Sequence, residues 1–175
     1  MIEVVLRAVR VDVGSSTPLL LLEEVQGDRV LPIYIGAPEA AAIAYALQGV
    51  SAPRPMTHDL LGNVITSLHA RLFSVEITEL VDNTFFATLR LLGDQNEILV
   101  SARPSDAVAL ALRVGAPILV ADELMAREGK VLQLADDEDE SLDENVEALD
   151  ESAEADIVAQ FGEFLDQVKP EDFGQ

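Results

Sequence analysis

The chain has 175 residues, which is enough for one compact domain with some excess and too few for two ordinary domains and a linker. Acidic residues outnumber basic ones by 32 to 11, a formal net charge of −21, while 49% of the residues are hydrophobic, which excludes wholesale disorder. The absence of cysteine excludes a disulfide framework, a thiolate zinc site and a cysteine nucleophile, and the negative charge argues against a broad basic surface for nucleic acid.

Three strands followed by a helix are predicted at the beginning of the chain. Residues 2–13 alternate between apolar and polar types and are rich in valine, which is typical of a strand with one buried face. Residues 19–25 and 29–35 flank a short glycine-containing turn and indicate a hairpin. The alanine-rich segment 37–48 predicts a helix, because Pro38 suits a first helical turn.

The same order of elements is predicted again further along the chain. Residues 72–80, 84–92 and 97–101 have strand patterns, and residues 105–114 have a helical pattern that stops at a glycine. We therefore predict an α+β fold that arose by internal duplication of a β-β-β-α unit, with mixed or antiparallel sheets and helices packed on them.

Between the two units, residues 52–70 contain apolar side chains at helical spacing, which predicts an amphipathic helix with Thr57 as its N-cap. A short strand at 117–120 and a helical turn at 122–126 complete the pattern. The folded domain is thus predicted to span residues 1–130.

The remaining residues carry most of the negative charge. Residues 1–130 hold 10 basic and 16 acidic residues, a net charge of −6, whereas the last 45 residues hold 1 and 16, a net charge of −15. We predict an acidic, flexible linker over 131–156 and an amphipathic helix over 157–173. This helix is expected to dock on its own domain or a sister subunit, or to bind a protein partner through residues 157–168.

The beginning of the chain lacks the pattern of a secretory signal. Glu3, Arg7 and Arg10 interrupt its hydrophobic residues, and no apolar run in the chain approaches the length that spans a bilayer. We therefore predict a cytoplasmic protein without membrane association.

Polar residues able to do chemistry cluster at the starts of the three longer helices. They are Glu39; Arg54, Thr57, His58 and Asp59; and Arg103, Ser105 and Asp106. A structural interpretation exists for most of them, since Thr57 and Ser105 can cap helices and acidic side chains stabilise a first turn. It does not cover Arg54 and Arg103, because a cation is unfavourable at the positive end of a helix dipole. Each arginine should face an anion, either a carboxylate of the cluster or the phosphate of a ligand.

His58 and Asp59 are neighbours in the chain, so on a helix their side chains diverge by about 100° and do not pair with each other. Either side chain can instead meet a partner from another element. The start of a helix disfavours a charged histidine, which leaves His58 neutral and suited to act as a general base or metal ligand.

Three segments of the chain resemble a known family. They are LPIYIGAPEAAAIAYALQG (31–49), PRPMTHDLL (53–61) and SARPSDAVALALRVGAPILV (101–120). Together they resemble the bifunctional nuclease domain family, also known as a domain of unknown function in bacteria and plants, across residues 1–130. The resemblance implies nuclease activity on RNA and DNA, and marks the eight residues at the helix starts as the shared site.

A nuclease of this composition would use water to attack a phosphodiester beside a divalent cation. Glu39, Asp59 and Asp106 offer oxygen ligands for Mg²⁺ or Mn²⁺ if folding brings the helix starts together, with His58 as the base. The residues predicted to bind phosphate are Arg54, Thr57, Arg103 and Ser105. Because the folded part is net negative, binding to RNA or single-stranded DNA is expected to be weak and to favour short strands over duplex DNA.

A second hypothesis is a non-catalytic regulatory or scaffold module that binds a protein partner or a small phosphorylated ligand through the same arginines. A homo-oligomer is also predicted, because exposed faces of the alanine-rich helices at 37–48 and 105–114 would permit close contact between subunits.

Overall fold

A computed structural model of the chain describes residues 1–12, 14–50, 52–94 and 96–131, and the backbone of residues 146–148. The strands are β1 (Ile2–Asp12), β2 (Thr17–Glu24), β3 (Arg29–Tyr34), β4 (Arg71–Val81), β5 (Thr84–Leu92), β6 (Glu97–Ala102), β7 (Ile118–Val120), β8 (Lys130–Val131) and β9 (Val146–Ala148). The helices are α1 (Ala37–Leu47), α2 (Thr57–Ser67), α3 (Pro104–Val114) and α4 (Asp122–Glu128). The predicted mixture of strands and helices is confirmed.

All nine strands belong to one mixed sheet with the order β6-β5-β4-β7-β1-β2-β3-β8, in which β9 pairs with the end of β1. The short strand β7 joins two antiparallel meanders, because Ile118 pairs in antiparallel fashion with Val4 and in parallel fashion with Val75. The predicted sheets are therefore a single continuous sheet.

The predicted repetition of element order is confirmed, since β1-β2-β3-α1 is followed, after α2, by β4-β5-β6-α3. The predicted bounds of these elements differ from the observed ones by no more than two residues. A common origin of the two units by duplication stays a prediction.

The second meander turns at a tight hairpin between β4 and β5. Asp82 and Asn83 have φ values of 48° and 58°, the left-handed conformation that a two-residue type I′ turn requires at both central positions. Asparagine and aspartate tolerate this conformation better than most residues, so the local sequence fixes the hairpin.

Helix α3 lies at the centre of the helical layer, where it packs against α1, α2, β4 and β5. The segment from Ala107 to Ala111 is at most 1% exposed. Its alanines are small, which lets neighbouring helices approach closely. The expectation that residues 105–114 present an exposed face to another subunit is therefore wrong, because this helix is part of the core.

The N-caps of α2 and α3 lie before the residues expected to cap these helices. Met56 is the N-cap of α2, so Thr57 is its first helical residue. Arg103 is the N-cap of α3, and Pro104 takes the first helical position, which leaves Ser105 inside the first turn. The prediction that Thr57 and Ser105 cap these helices is wrong, because the chain enters each helix through the residue that adopts an extended backbone just before it.

Among the described residues, no helix is long and apolar enough to cross a membrane. The predicted linker and C-terminal helix, at 131–156 and 157–173, lie outside the described residues except for Val131 and the strand Val146–Ala148.

Candidate functional site

The starts of α1 and α2 and the length of α3 meet at a cleft of about 250 Å³, which we call the polar cleft. Its lining residues are Pro38, Glu39, Ala42, Tyr45, Met56, Thr57, His58, Arg103, Asp106 and Arg113. Five of the eight residues predicted from the sequence are thus brought together, although they come from three separate segments of the chain.

Arg103 is the central cation of the polar cleft. Its Nη2 lies 2.8 Å from Oε1 of Glu39, and its Nε and Nη2 donate hydrogen bonds of 2.7 and 3.1 Å to the two carboxylate oxygens of Asp106. The hydrogen bond to Asp106 is the main reason that the pKa of Arg103 is raised above its usual range. The carboxylate contact expected as one of the two partners of this arginine is present, and 65% of the side chain stays exposed.

His58 meets a partner from another helix. Its Nε2 lies 3.2 Å from Oδ1 of Asp106, and only 12% of its side chain is exposed. Burial raises the pKa of Asp106, but hydrogen bonds from Arg103 and His58 outweigh it and hold that pKa below its usual range. When Nε2 of a neutral His58 donates to Asp106, the other ring nitrogen, Nδ1, is left as an acceptor.

Asp59 holds the start of α2 and does not line the polar cleft. The backbone N–H of Met56 donates to its Oδ2 at 2.9 Å, and Nε of Arg113 donates to its Oδ1 at 2.6 Å. These contacts, the Met56 N–H first, hold the pKa of Asp59 below its usual range. The residue predicted to take part in catalysis and metal binding therefore serves in this structure as a helix-start acceptor and an ion-pair partner.

Arg113 was not among the residues predicted from the sequence. Besides its bond to Asp59, it donates hydrogen bonds of 2.8 Å to the carbonyl of Ala109 and 2.9 Å to the carbonyl of Ala42, and it is 11% exposed. One guanidinium thus ties α1, α2 and α3 together. From the sequence, an arginine in the last turn of a helix reads as an ordinary complement to the helix dipole.

Two predicted phosphate ligands lie outside the polar cleft. Arg54 is exposed on the segment before α2. Ser105 is 6% exposed and lines a separate depression, which borders Arg103 as well.

The predicted metal ligands Glu39, Asp59 and Asp106 are not assembled around a common point. Among the residues that the structure describes, no group of three or more acidic or histidine side chains is arranged to hold a metal ion. Glu39 and Asp106 both face Arg103, and Asp59 faces Arg113. Because each carboxylate is already paired with a guanidinium, these residues as arranged do not fit a divalent cation.

The fold and the polar cleft define an α+β protein with one mixed sheet, whose helix starts gather a histidine, carboxylates and the arginine Arg103. The sequence model of the bifunctional nuclease domain matches residues 20–133, so the chain belongs to the bifunctional nuclease domain family. The matched range contains all eight residues that the sequence resemblance marked.

Similarity to other proteins extends beyond that domain. An uncharacterized protein of Mycobacterium tuberculosis is 48% identical over 171 residues, covering 98% of this chain and 97% of that protein. Bifunctional nuclease 1 of Oryza sativa subsp. japonica is 28% identical over 126 residues, which are 70% of this chain and 38% of the rice protein. A bifunctional nuclease of Oryza minuta is similar to the same extent. The alignment therefore leaves more than half of each Oryza protein unmatched by this chain.

Proposed function

We propose that this chain hydrolyses phosphodiester bonds of RNA or single-stranded DNA in the polar cleft. The observation that carries the proposal is the contact of His58 with Asp106, whose carboxylate also binds Arg103. A histidine held by a carboxylate beside a guanidinium combines a proton acceptor with a phosphate ligand. Membership of the bifunctional nuclease domain family and the names of the rice relatives support the reaction class.

In the proposed reaction, Asp106 accepts the Nε2–H of His58 and fixes the orientation of the ring. Nδ1 then takes a proton from a water molecule as its oxygen attacks the phosphorus. The ester oxygen on the opposite side leaves with the electron pair of its bond to phosphorus and takes a proton from solvent water. Arg103 binds the non-bridging oxygens, where negative charge increases in the transition state.

Binding of a phosphate requires Arg103 to turn away from at least one of its carboxylates. The exposure of its side chain permits this movement, whereas Arg113 is nearly buried and keeps its three partners. A phosphate must also approach a cleft that carries Glu39 and Asp106. Repulsion by these carboxylates and the net charge of the domain favour short single strands and weak, salt-sensitive binding. Arg54, exposed before α2, is proposed to contact a flanking phosphate.

No step of this proposal passes through Mg²⁺ or Mn²⁺, because the three carboxylates expected to bind such a cation face arginines. Comparing cleavage in Mg²⁺, in Mn²⁺ and in chelator measures whether a metal contributes.

The test is cleavage of labelled RNA and single-stranded DNA by the purified chain and by His58→Asn. Loss of a general base is expected to slow cleavage by about 100-fold or more. The matched control is His69→Asn: His69 follows the end of the same helix with a φ of 57°, a conformation that asparagine accepts. Cleavage that persists in an Arg103→Ala, Asp106→Ala double variant would identify a contaminant or a different site. Absence of cleavage by the wild type with every metal would refute the proposal.

The second candidate function is a non-catalytic module that binds a small phosphorylated ligand. It is favoured by the pairing of Arg103 with two carboxylates, because an anion that displaces Glu39 would exchange one partner of the arginine for another. Binding of a phosphorylated ligand without any cleavage would support it. The predicted protein contact through 157–168 lies outside the described residues and stays a prediction.

We also propose that the chain forms a homo-oligomer, through β6 and α2. Among the described strands, β6 pairs only with β5, and its Ile98, Leu99 and Val100 are 40–60% exposed. Natural proteins protect apolar edge strands, and two copies of one edge can pair across a two-fold axis. α2 adds exposed leucines, of which Leu60 is 54% exposed. Leu99→Lys is expected to convert the oligomer to a monomer in light scattering; a wild-type monomer would contradict the proposal.

A further inference from the structure

A second depression, with a volume of about 360 Å³, shares Arg103 with the polar cleft. It lies where the end of β3, the turn between β4 and β5, and the start of α3 come together. We call it the aromatic depression. Its lining includes Tyr34, Gly36, Asn83, Thr84, Phe85 and Ser105. Its volume is within the range of about 300–1,000 Å³ that is usual for small-molecule sites.

The two sites differ in charge. Glu39, His58, Asp106 and Arg113 line the polar cleft with Arg103, whereas Arg103 is the one charged residue among those that line the aromatic depression. The remaining polar groups of the depression are uncharged amides and hydroxyls, such as those of Asn83 and Thr84. This surface suits an uncharged, hydrogen-bonding part of a ligand, while an anionic part would remain at the arginine.

The aromatic depression contains two aromatic side chains on separate strands. Tyr34 is 60% exposed, and its hydroxyl donates a hydrogen bond of 3.2 Å to Asp12, which restrains the ring. Phe85 packs partly against the core and directly follows the tight β4–β5 turn. Nucleobases stack on such rings without strong preference for one base, because every base has a π face.

We propose that the aromatic depression binds the base of a nucleotide whose phosphate is held by Arg103. This inference rests on the proposed function for its phosphate contact and adds the position of the neighbouring nucleoside. Since Arg103 lines both sites, a phosphate bound to it has the polar cleft on one side and the aromatic depression on the other. The amide of Asn83 supplies hydrogen bonds to polar edges of the base.

The test compares binding of adenosine 5′-monophosphate and ribose 5-phosphate to the full chain by calorimetry. The two ligands share sugar and phosphate and differ only in the base. Stacking contributes enough for the nucleotide to bind about 5-fold tighter or more. Tyr34→Leu and Phe85→Leu, which keep apolar volume but remove a flat ring, are expected to reduce that ratio.

The matched control is Phe86→Leu. Phe86 adjoins Phe85 in the chain and is 39% exposed, but it does not line the aromatic depression, so the ratio should stay at the wild-type value. Arg103→Ala is expected to weaken both ligands by the same factor. Thermal melting of Phe85→Leu checks that it folds, and Tyr34→Leu changes an exposed residue that the core does not need.

Equal affinity for the two ligands, no binding of the nucleotide, or a ratio unchanged in both Tyr34→Leu and Phe85→Leu would overturn the inference. A ratio reduced equally by Phe86→Leu would overturn it too. Because no bond is cleaved in this experiment, a missing nuclease activity would refute the proposed function while leaving the preference for the base measurable.

Discussion

The two β-β-β-α units place equivalent residues at one site but give them different partners. Glu39 is the third residue of α1 and Asp106 the third residue of α3, and both carboxylates face the guanidinium of Arg103. Arg103 is the N-cap of α3, and the N-cap of α1 is Gly36. The first turns of α1 and α3 thus each supply one carboxylate, whereas only the N-cap of α3 supplies a cation.

The glycine cap of α1 also has a steric role. A Cβ at Gly36 would overlap Oε2 of Glu39, so the carboxylate lies where a side chain would otherwise be. Helix α2, which lies between the units, adds His58 on the side of Asp106 only. Two units with the same order of elements therefore carry an asymmetric site, and the asymmetry resides in a few residues that substitution can test.

The largest expected effect is on stability, at the position where α3 has Arg113 and the equivalent residue of α1 is Ala46. Arg113→Ala places the same residue at this position in both units. It leaves Asp59 and the carbonyl of Ala42 without the hydrogen bonds that Arg113 donates to them. The free energy of unfolding should fall by about 3 kcal/mol, measured by urea denaturation. A loss below about 1 kcal/mol would show that the three helices hold together without this residue.

Replacing the N-cap arginine of α3 with glycine, the N-cap residue of α1, tests the contribution of Arg103 to the polar cleft. Arg103→Gly should slow cleavage by about 100-fold, because the charge that stabilises the transition state is removed, while the fold is kept. The control is Arg54→Gly, at an exposed arginine outside the polar cleft, with an expected loss below about 10-fold. Equal losses in the two variants would contradict the central place of Arg103.

A smaller difference is expected between the two acids. Asp106→Asn removes the partner of His58, whereas Glu39→Gln removes only one contact of Arg103. Cleavage by Asp106→Asn should be about 10-fold slower than cleavage by Glu39→Gln, with a changed pH profile in the first variant only. If the two variants behave alike, the acids are equivalent and His58 does not depend on Asp106.

The smallest expected effect is on the way the free energy of unfolding changes at acidic pH. Asp59 belongs to α2, the helix that lies between the two units. Its pKa is below its usual range, mainly because the Met56 N–H donates a hydrogen bond to it and also because of Arg113. Its contribution to stability is therefore complete above the usual carboxyl pKa of about 4 and is lost as the pH falls through the lowered value. Urea denaturation between pH 7 and pH 3 should show a flatter decline for Asp59→Asn than for the wild type. Parallel curves would contradict this role.

The local pattern of residues was sufficient to predict most of the fold. Alternation in the strands, and the prolines and glycines that bound the helices, are signals carried by neighbouring residues. β8 and β9 are too short to leave such a pattern, and the continuity of the sheet depends on pairing between distant segments.

The sequence predicted which residues make up most of the site, but it did not predict which carboxylate faces which arginine. The helix starts were identified, and the family resemblance marked His58 and Asp106, whose contact follows only from folding. Whether a carboxylate faces a metal or a guanidinium depends on distances between helices, which a sequence does not contain. Arg113 went unpredicted for the same reason: its last-turn position looks ordinary until Asp59 and Ala42 lie within reach.

The three-residue strand β7 joins parts of the sheet that lie far apart in the sequence. Val4 lies near the beginning of the chain and Val75 near its middle, and both pair with Ile118 of β7 in the sheet. A nascent chain that has not yet reached β7 can form two separate meanders but not the continuous sheet. Continuity of the sheet thus depends on contacts between residues that are far apart in sequence, and such contacts slow the folding of a chain.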